Sequence, residues 1–142
     1  REGFESQVKV SVTKRGVVLD ISDAVLFDLG SADVNPGAYP LLDKIGDEIK
    51  KSSLSIGIEG HTDNLPIKTD QFPSNWELSA TRAVNVLRYF IEQKGVPSRR
   101  LYAVGYGEYQ PLFPNDTLEH RTKNRRVVIV FNKESIKDKE DA

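Results

Sequence analysis

The sequence contains no cysteine, only two histidines and a single tryptophan. Without cysteine there are no disulfides and no thiolate chemistry, and a structural zinc site is disfavoured. Compartment stays open, because proteins outside the cytoplasm can also lack cysteine. Neither sign of charge dominates: 20 Lys and Arg stand against 21 Asp and Glu, for a net charge of -1. That balance removes the electrostatic case for nucleic acid or an anionic membrane as a partner. No apolar run approaches the roughly 18 residues of a membrane span, no signal peptide is visible, and there is no internal repeat. The first residue is Arg1 rather than Met, so the sequence reads as an excised piece and an upstream anchor stays open. What remains is 142 residues, 38% apolar and 29% charged, the profile of one ordinary folded domain.

Val8, Val10 and Val12 alternate with Lys9, Ser11 and Thr13, which predicts a half-buried strand. Arg15-Gly16 breaks it and Val17 to Ile21 resumes, giving a hairpin. Phe27 to Ser31 reads as a loop. Asn35-Pro36 is a helix start that Pro40 delays, and Leu41, Leu42, Ile45 and Ile49 then recur at helical spacing. Leu54, Ile56 and Ile58 predict a strand running into Gly60-His61-Thr62-Asp63. After a polar loop, Ser74 and Glu77 have the spacing of a capping box, opening a helix through Ile91 that Gly95 ends. Leu101 to Tyr106 reads as a strand and Thr117 to Lys123 as a short helix. The continuous apolar run Val127 to Phe131 reads as a central strand covered on both faces. Strand, helix and strand from Leu54 to Tyr106 make a βαβ unit with parallel strands. The fold expected is an α/β sandwich, with helices packed on one sheet. The charged stretch 133–142 reads as a frayed tail.

Candidate chemistry concentrates between Gly60 and Arg82. Asp63 lies just past a strand end, and Asn75, Leu78 and Arg82 fall at i, i+3 and i+7 on one face of the next helix. Arg82 interrupts an apolar stripe, and a charge at the margin of a buried stripe needs a partner. The crossover brings strand end and helix start together, so Asp63 and Arg82 converge on one cleft. Such a cleft suits a zwitterion, with carboxylate on guanidinium and ammonium on aspartate. From spacing alone, a direct Asp63–Arg82 pair is an equally good account. His61, Asp63 and His120 make a thin metal-ligand set, and His61 is read instead as bracing its loop. Glu59 and Asp63 share a strand face, but nothing else supports glycoside hydrolysis. Gly105-x-Gly107 lacks the third glycine of a nucleotide loop. Arg125-Arg126 reads as an ion-pair feature, and the Trp76 ring is expected in the core.

Four ordered motifs carry a resemblance: Gly60-His61-Thr62-Asp63, Asn75-x-x-Leu78-Ser79-x-x-Arg82-Ala83, Gly105-Tyr106-Gly107-Glu108 and Asn124-Arg125-Arg126-Val127. Together they resemble the OmpA-like peptidoglycan-binding domain, over about residues 17–132, with 1–16 as a preceding linker or strand region. Asn64-Leu65-Pro66-Ile67 and Phe72-Pro73-Ser74-Asn75-Trp76-Glu77-Leu78-Ser79 are similar to the B subunit of flagellar motor stators (MotB type). The resemblance implies an OmpA-like α+β fold with helices on a mixed sheet. It implies non-catalytic binding of the diaminopimelate in the peptidoglycan stem peptide, without metal or cofactor. Asp63 would take the ammonium and Arg82 the carboxylate. Thr62, Asn75 and Leu78 would line the site, Phe27 and Asp28 would face it, and Asn124 and Arg125 would brace or edge it. It further implies a periplasmic wall anchor in a motility stator. Such an anchor would be homodimeric and joined to a stator A subunit through a membrane segment absent from this sequence. The alternative is the wall anchor of another envelope protein, such as a lipoprotein, an outer-membrane protein or a secretion-system component.

Overall fold

The structure is a computed structural model, and it describes residues 3–133; the expected tail lies almost wholly outside the described residues. Strands β1 (Val8–Thr13) and β2 (Gly16–Ser22) form the expected antiparallel hairpin. A single turn, α1 (Asp23–Leu26), follows. Asn35 then caps a 3-10 turn at Pro36–Ala38 by accepting from the Gly37 amide. Helix α2 (Tyr39–Lys51) begins one turn later than Asn35-Pro36 suggested, with Pro40 in its first turn. There a missing N–H and a fixed φ cost nothing.

Strand β3 runs from Ile56 to His61, beginning two residues later than the alternation from Leu54 suggested and running, as expected, into Gly60 and His61. It pairs along its length with both neighbours, and the ladder carries it to His61 opposite Arg126. Helix α3 (Asn75–Lys94) ends at Gly95 in the left-handed region, φ 70°. Strand β4 (Leu101–Gly105), helix α4 (Leu118–Asn124) and strand β5 (Arg126–Asn132) complete the chain.

The sheet is mixed, in the order β1-β2-β5-β3-β4, with β3 and β4 parallel across the α3 crossover. Its inner face contributes Leu19, Ile21, Ile56, Ile58, Val127 and Ile129 to one core. Leu41, Leu42, Ile45 and Ile49 of α2 and Ala83, Val86 and Phe90 of α3 close that core. Val127 to Val130 are all buried, as expected of a central strand. The outer face opens on a trough of about 680 Å³ lined by Asp20, Glu59, His61, Arg126 and the flanking loops. Among the described residues, no helix is long and apolar enough to cross a membrane.

Two glycines set how close α3 lies to the sheet. A Cβ on Gly60 would stand 2.2 Å from the Ser79 carbonyl oxygen, and one on Gly105 would stand 2.4 Å from the Ala80 nitrogen. The helix therefore rests on bare backbone, and its first two turns are held against the end of β3.

Candidate ligand-binding site

The strand order decides which charges meet. The start of β5 lies between the end of β2 and the end of β3, with Ser22 and His61 both in register with Arg126. Arg125, one residue earlier, therefore sits between Asp23 and Asp63. The Asp23 amide donates to the Arg125 carbonyl (3.0 Å). The Arg125 guanidinium donates to Asp63 Oδ2 (2.7 Å), and its Nε lies 3.5 Å from Asp23 Oδ2. Asp23 Oδ2 also accepts from Arg82 Nη1 (3.1 Å). The result is an alternating row, Arg82–Asp23–Arg125–Asp63.

Asp63 and Arg82 thus do converge, but each is paired with a different residue. Arg82 is 4% exposed. It donates through Nε to the Ser31 carbonyl (2.8 Å) and through Nη2 to the Asp28 carbonyl (3.3 Å), and its guanidinium stands 4.7 Å from the Phe27 ring centroid. Burial lowers its proton affinity and the Asp23 carboxylate opposes that shift. Three of the five guanidinium N–H groups are engaged, leaving two for a further acceptor. Asp63 is 5% exposed and holds its own turn, with Oδ1 accepting from the Leu65 amide (3.0 Å).

A cleft of about 230 Å³ lies over this row. Of the residues expected in a site, Thr62, Asp63, Asn75, Leu78, Arg82 and Arg125 line it. Asn75 donates through Nδ2 to the Leu65 carbonyl (3.1 Å) and to Glu108 Oε1 (3.2 Å), and the Thr62 hydroxyl donates to the Asp63 carbonyl (2.8 Å). Leu78 packs with Ala32 and Phe72, which anchors the loop between β3 and α3. The remaining expected residues stand off the lining. Phe27 is buried beneath Arg82, and Asp28 contributes its carbonyl to Arg82. Asn124 is fully buried and braces the 112–115 segment, accepting from the Leu112 and Phe113 amides and donating to the Phe113 carbonyl and Asn115 Oδ1. In their place the facing loop offers Leu29 and Gly30 to the cleft.

Sequence reasoning missed Asp23. Its only local signal is an acid set between Ile21 and Val25, where the apolar pattern asks for burial. The capping box is also modified. Ser74 accepts from the Trp76 amide (3.1 Å), one position earlier than the motif specifies, and its hydroxyl bonds to the Glu77 carboxylate. Trp76 is not core: it is 47% exposed and stacks on Tyr109. Arg126 turns to the opposite face, where its guanidinium donates to the Asn124 and Gln110 carbonyls.

The four charged residues of the cleft lining are two arginines and two aspartates. The site is buried, charge-balanced and about the size of one amino-acid head group. A guest carrying both signs leaves such a lining neutral, whereas a guest of one sign adds a net charge to it.

The family model for the OmpA family matches residues 26–125. Motility protein B of Bacillus subtilis is 40% identical over 129 residues, 90% of this chain and 49% of that protein. The crystal structure of a MotB-like protein from Desulfovibrio vulgaris superposes with a TM-score of 0.86 at 38% identity, over 93% of this chain and 85% of that one. The cell wall anchor of the type VI secretion system from Pseudomonas aeruginosa superposes with a TM-score of 0.84 at 35% identity, over 91% and 90%. The chain spans about half the length of the curated relatives it matches.

Proposed function

The chain belongs to the OmpA family, and on that footing we propose that it is a non-catalytic peptidoglycan anchor whose cleft takes the diaminopimelate of the stem peptide. The observation that carries this reading is the row Arg82–Asp23–Arg125–Asp63, buried but for Arg125, under a cleft of about 230 Å³. The ligand's ammonium is placed at Asp63 and its carboxylate at the two open N–H groups of Arg82. Thr62, Asn75, Leu78 and Arg125 complete the walls. Phe27 and Asp28 hold Arg82 in place, and Asn124, next to Arg125, braces the 112–115 segment behind the site. Electrostatic clamps of this kind bind and do not turn over, and the hydroxyl in the lining, that of Thr62, donates to the Asp63 backbone carbonyl rather than to a base.

The machine attached to the anchor is read as a flagellar stator in the periplasm, supported by the likeness to motility protein B. In that assembly the domain works as a homodimer beside the A subunit. Strand β1, the edge of the sheet among the described residues and with Val12 81% exposed, is the surface for pairing two copies. A monomer by sedimentation of the complete protein would refute that pairing. The likeness to the type VI anchor favours a second reading, a secretion-system wall anchor with the same ligand. Substituting Asp63 in the cell of origin and scoring swimming against secretion separates the two.

The ligand test is calorimetric titration with diaminopimelate-type and lysine-type stem peptides. Lysine keeps the ammonium and lacks the carboxylate. A charge-assisted hydrogen bond contributes about 1.5–3 kcal/mol, and Asp23 keeps Arg82 partly compensated when the carboxylate is missing. The expected preference is about tenfold for diaminopimelate. Arg82→Ala should erase it, and Asp63→Ala should weaken both peptides alike. Equal affinities in the wild type would refute the assignment of Arg82 to the carboxylate.

A further inference from the structure

We propose that Trp76 and Tyr109 form a sugar-stacking platform for the glycan strand whose peptide occupies the neighbouring cleft, a subsite that rests on the peptidoglycan reading above. The two rings stack with centroids 4.8 Å apart and planes at 18°. Trp76 is nevertheless 47% exposed and Tyr109 is 59% exposed. Aromatic surface left open in this way forgoes burial that a core position would have given, which marks a contact surface.

The backbone beneath the rings is pinned. Gly107 lies against both rings, its Cβ position 3.5 Å from each, and its φ of +61° suits glycine. Its amide donates to Ser79 Oγ (2.9 Å), and its carbonyl accepts from the Thr62 amide (2.9 Å).

Its place is fixed relative to the cleft. Trp76 follows Asn75, and Tyr109 follows Glu108. Asn75 and Glu108 are themselves bonded, at 3.2 Å. Consecutive Cα atoms lie about 3.8 Å apart, and two or three extended peptide residues span up to about 10 Å. A peptide held in the cleft therefore carries its sugar within reach of the rings. The cleft, at about 230 Å³, leaves the sugar outside it. A pyranose ring presents an apolar C–H face and a polar rim. The open aromatic faces match the first, and the Glu108 carboxylate beside them accepts from the second.

Trp76 is the sole tryptophan, so its fluorescence reports this surface alone. The experiment titrates the domain with a diaminopimelate muropeptide that keeps its disaccharide and with the same peptide freed of sugar. The disaccharide form should bind about threefold to tenfold more tightly and alter Trp76 emission, whereas the free peptide should leave emission unchanged. Trp76→Ala and, independently, Tyr109→Ala should level the two affinities when both are measured by calorimetry. Equal affinities in the wild type, or variants that weaken both ligands by the same factor, would overturn the platform while leaving the peptide cleft standing. Failure of both ligands to bind would overturn the two readings together.

Discussion

Replacing Asp23 with alanine removes the one carboxylate that touches both arginines of the cleft. Arg82, 4% exposed, then keeps the Ser31 and Asp28 carbonyls and the Phe27 ring, but no formal negative charge within bonding distance among the described residues. Arg125 keeps Asp63. Removing one partner of a buried ion pair costs about 3–5 kcal/mol. Two backbone carbonyls and a cation–π contact offset part of that, the latter by about 1–2 kcal/mol. The expected cost of Asp23→Ala is therefore about 2–3 kcal/mol, and Asp23→Asn, which keeps an acceptor, should cost about half as much. Urea denaturation reads this as a lower midpoint at unchanged slope. The double variant Asp23→Ala with Arg82→Met should fall short of the summed single costs by about 1 kcal/mol or more, because the stranded charge is gone. A cost for Asp23→Ala below about 0.5 kcal/mol, or strict additivity in the double variant, would show that the row is not held together as its geometry indicates.

On the outer face of the sheet, burial pushes the Glu59 carboxyl up, but the neighbouring His61 imidazole, 3.9 Å away, and the Arg15 guanidinium bonded to it outweigh that and hold it at about 2. A depressed carboxyl stabilises the fold above its unfolded value, near about 4.3, and loses that contribution as pH falls toward 2. Glu59→Gln should therefore cost about 1–3 kcal/mol near neutral pH and progressively less below about pH 4; a cost independent of pH in urea midpoints would refute the assignment. Burial likewise lowers the His61 imidazole, so acid should weaken the fold below about pH 6.5 through this residue too. His61→Gln should remove that part of the pH dependence, and an unchanged midpoint profile would count against it. Gly60→Ala places a methyl group 2.2 Å from a helix carbonyl and should cost about 3 kcal/mol or more, together with ligand affinity, because α3 must lift off the end of β3; wild-type thermal stability in this variant would contradict the packing.

Much of the fold is legible in the residues themselves, because its rules are local. Alternating valines give β1, and the leucines and isoleucines at helical spacing give α2. Ser74 and Gly95 bracket α3, and i, i+3, i+7 spacing alone puts Asn75, Leu78 and Arg82 on one buried face. The strand boundary at β3 was displaced because ladder pairing with two neighbours, a non-local interaction, outweighs the local alternation around Leu54. The same distinction governs the site. Sequence spacing named Asp63 and Arg82, but it could not say which countercharge each would hold. That depended on β5 entering the sheet between β2 and β3, which sets Arg125 between Asp23 and Asp63, about a hundred and about sixty residues away in the sequence. Trp76 shows the converse. By composition a lone tryptophan belongs in the core. Trp76 stands one turn before Ser79 and Ala80, the residues that rest on Gly60 and Gly105, so its ring lies instead against Gly107 and stacks on Tyr109. Periodicity fixes what a residue's own segment can bury; the register between distant strands fixes what it meets there.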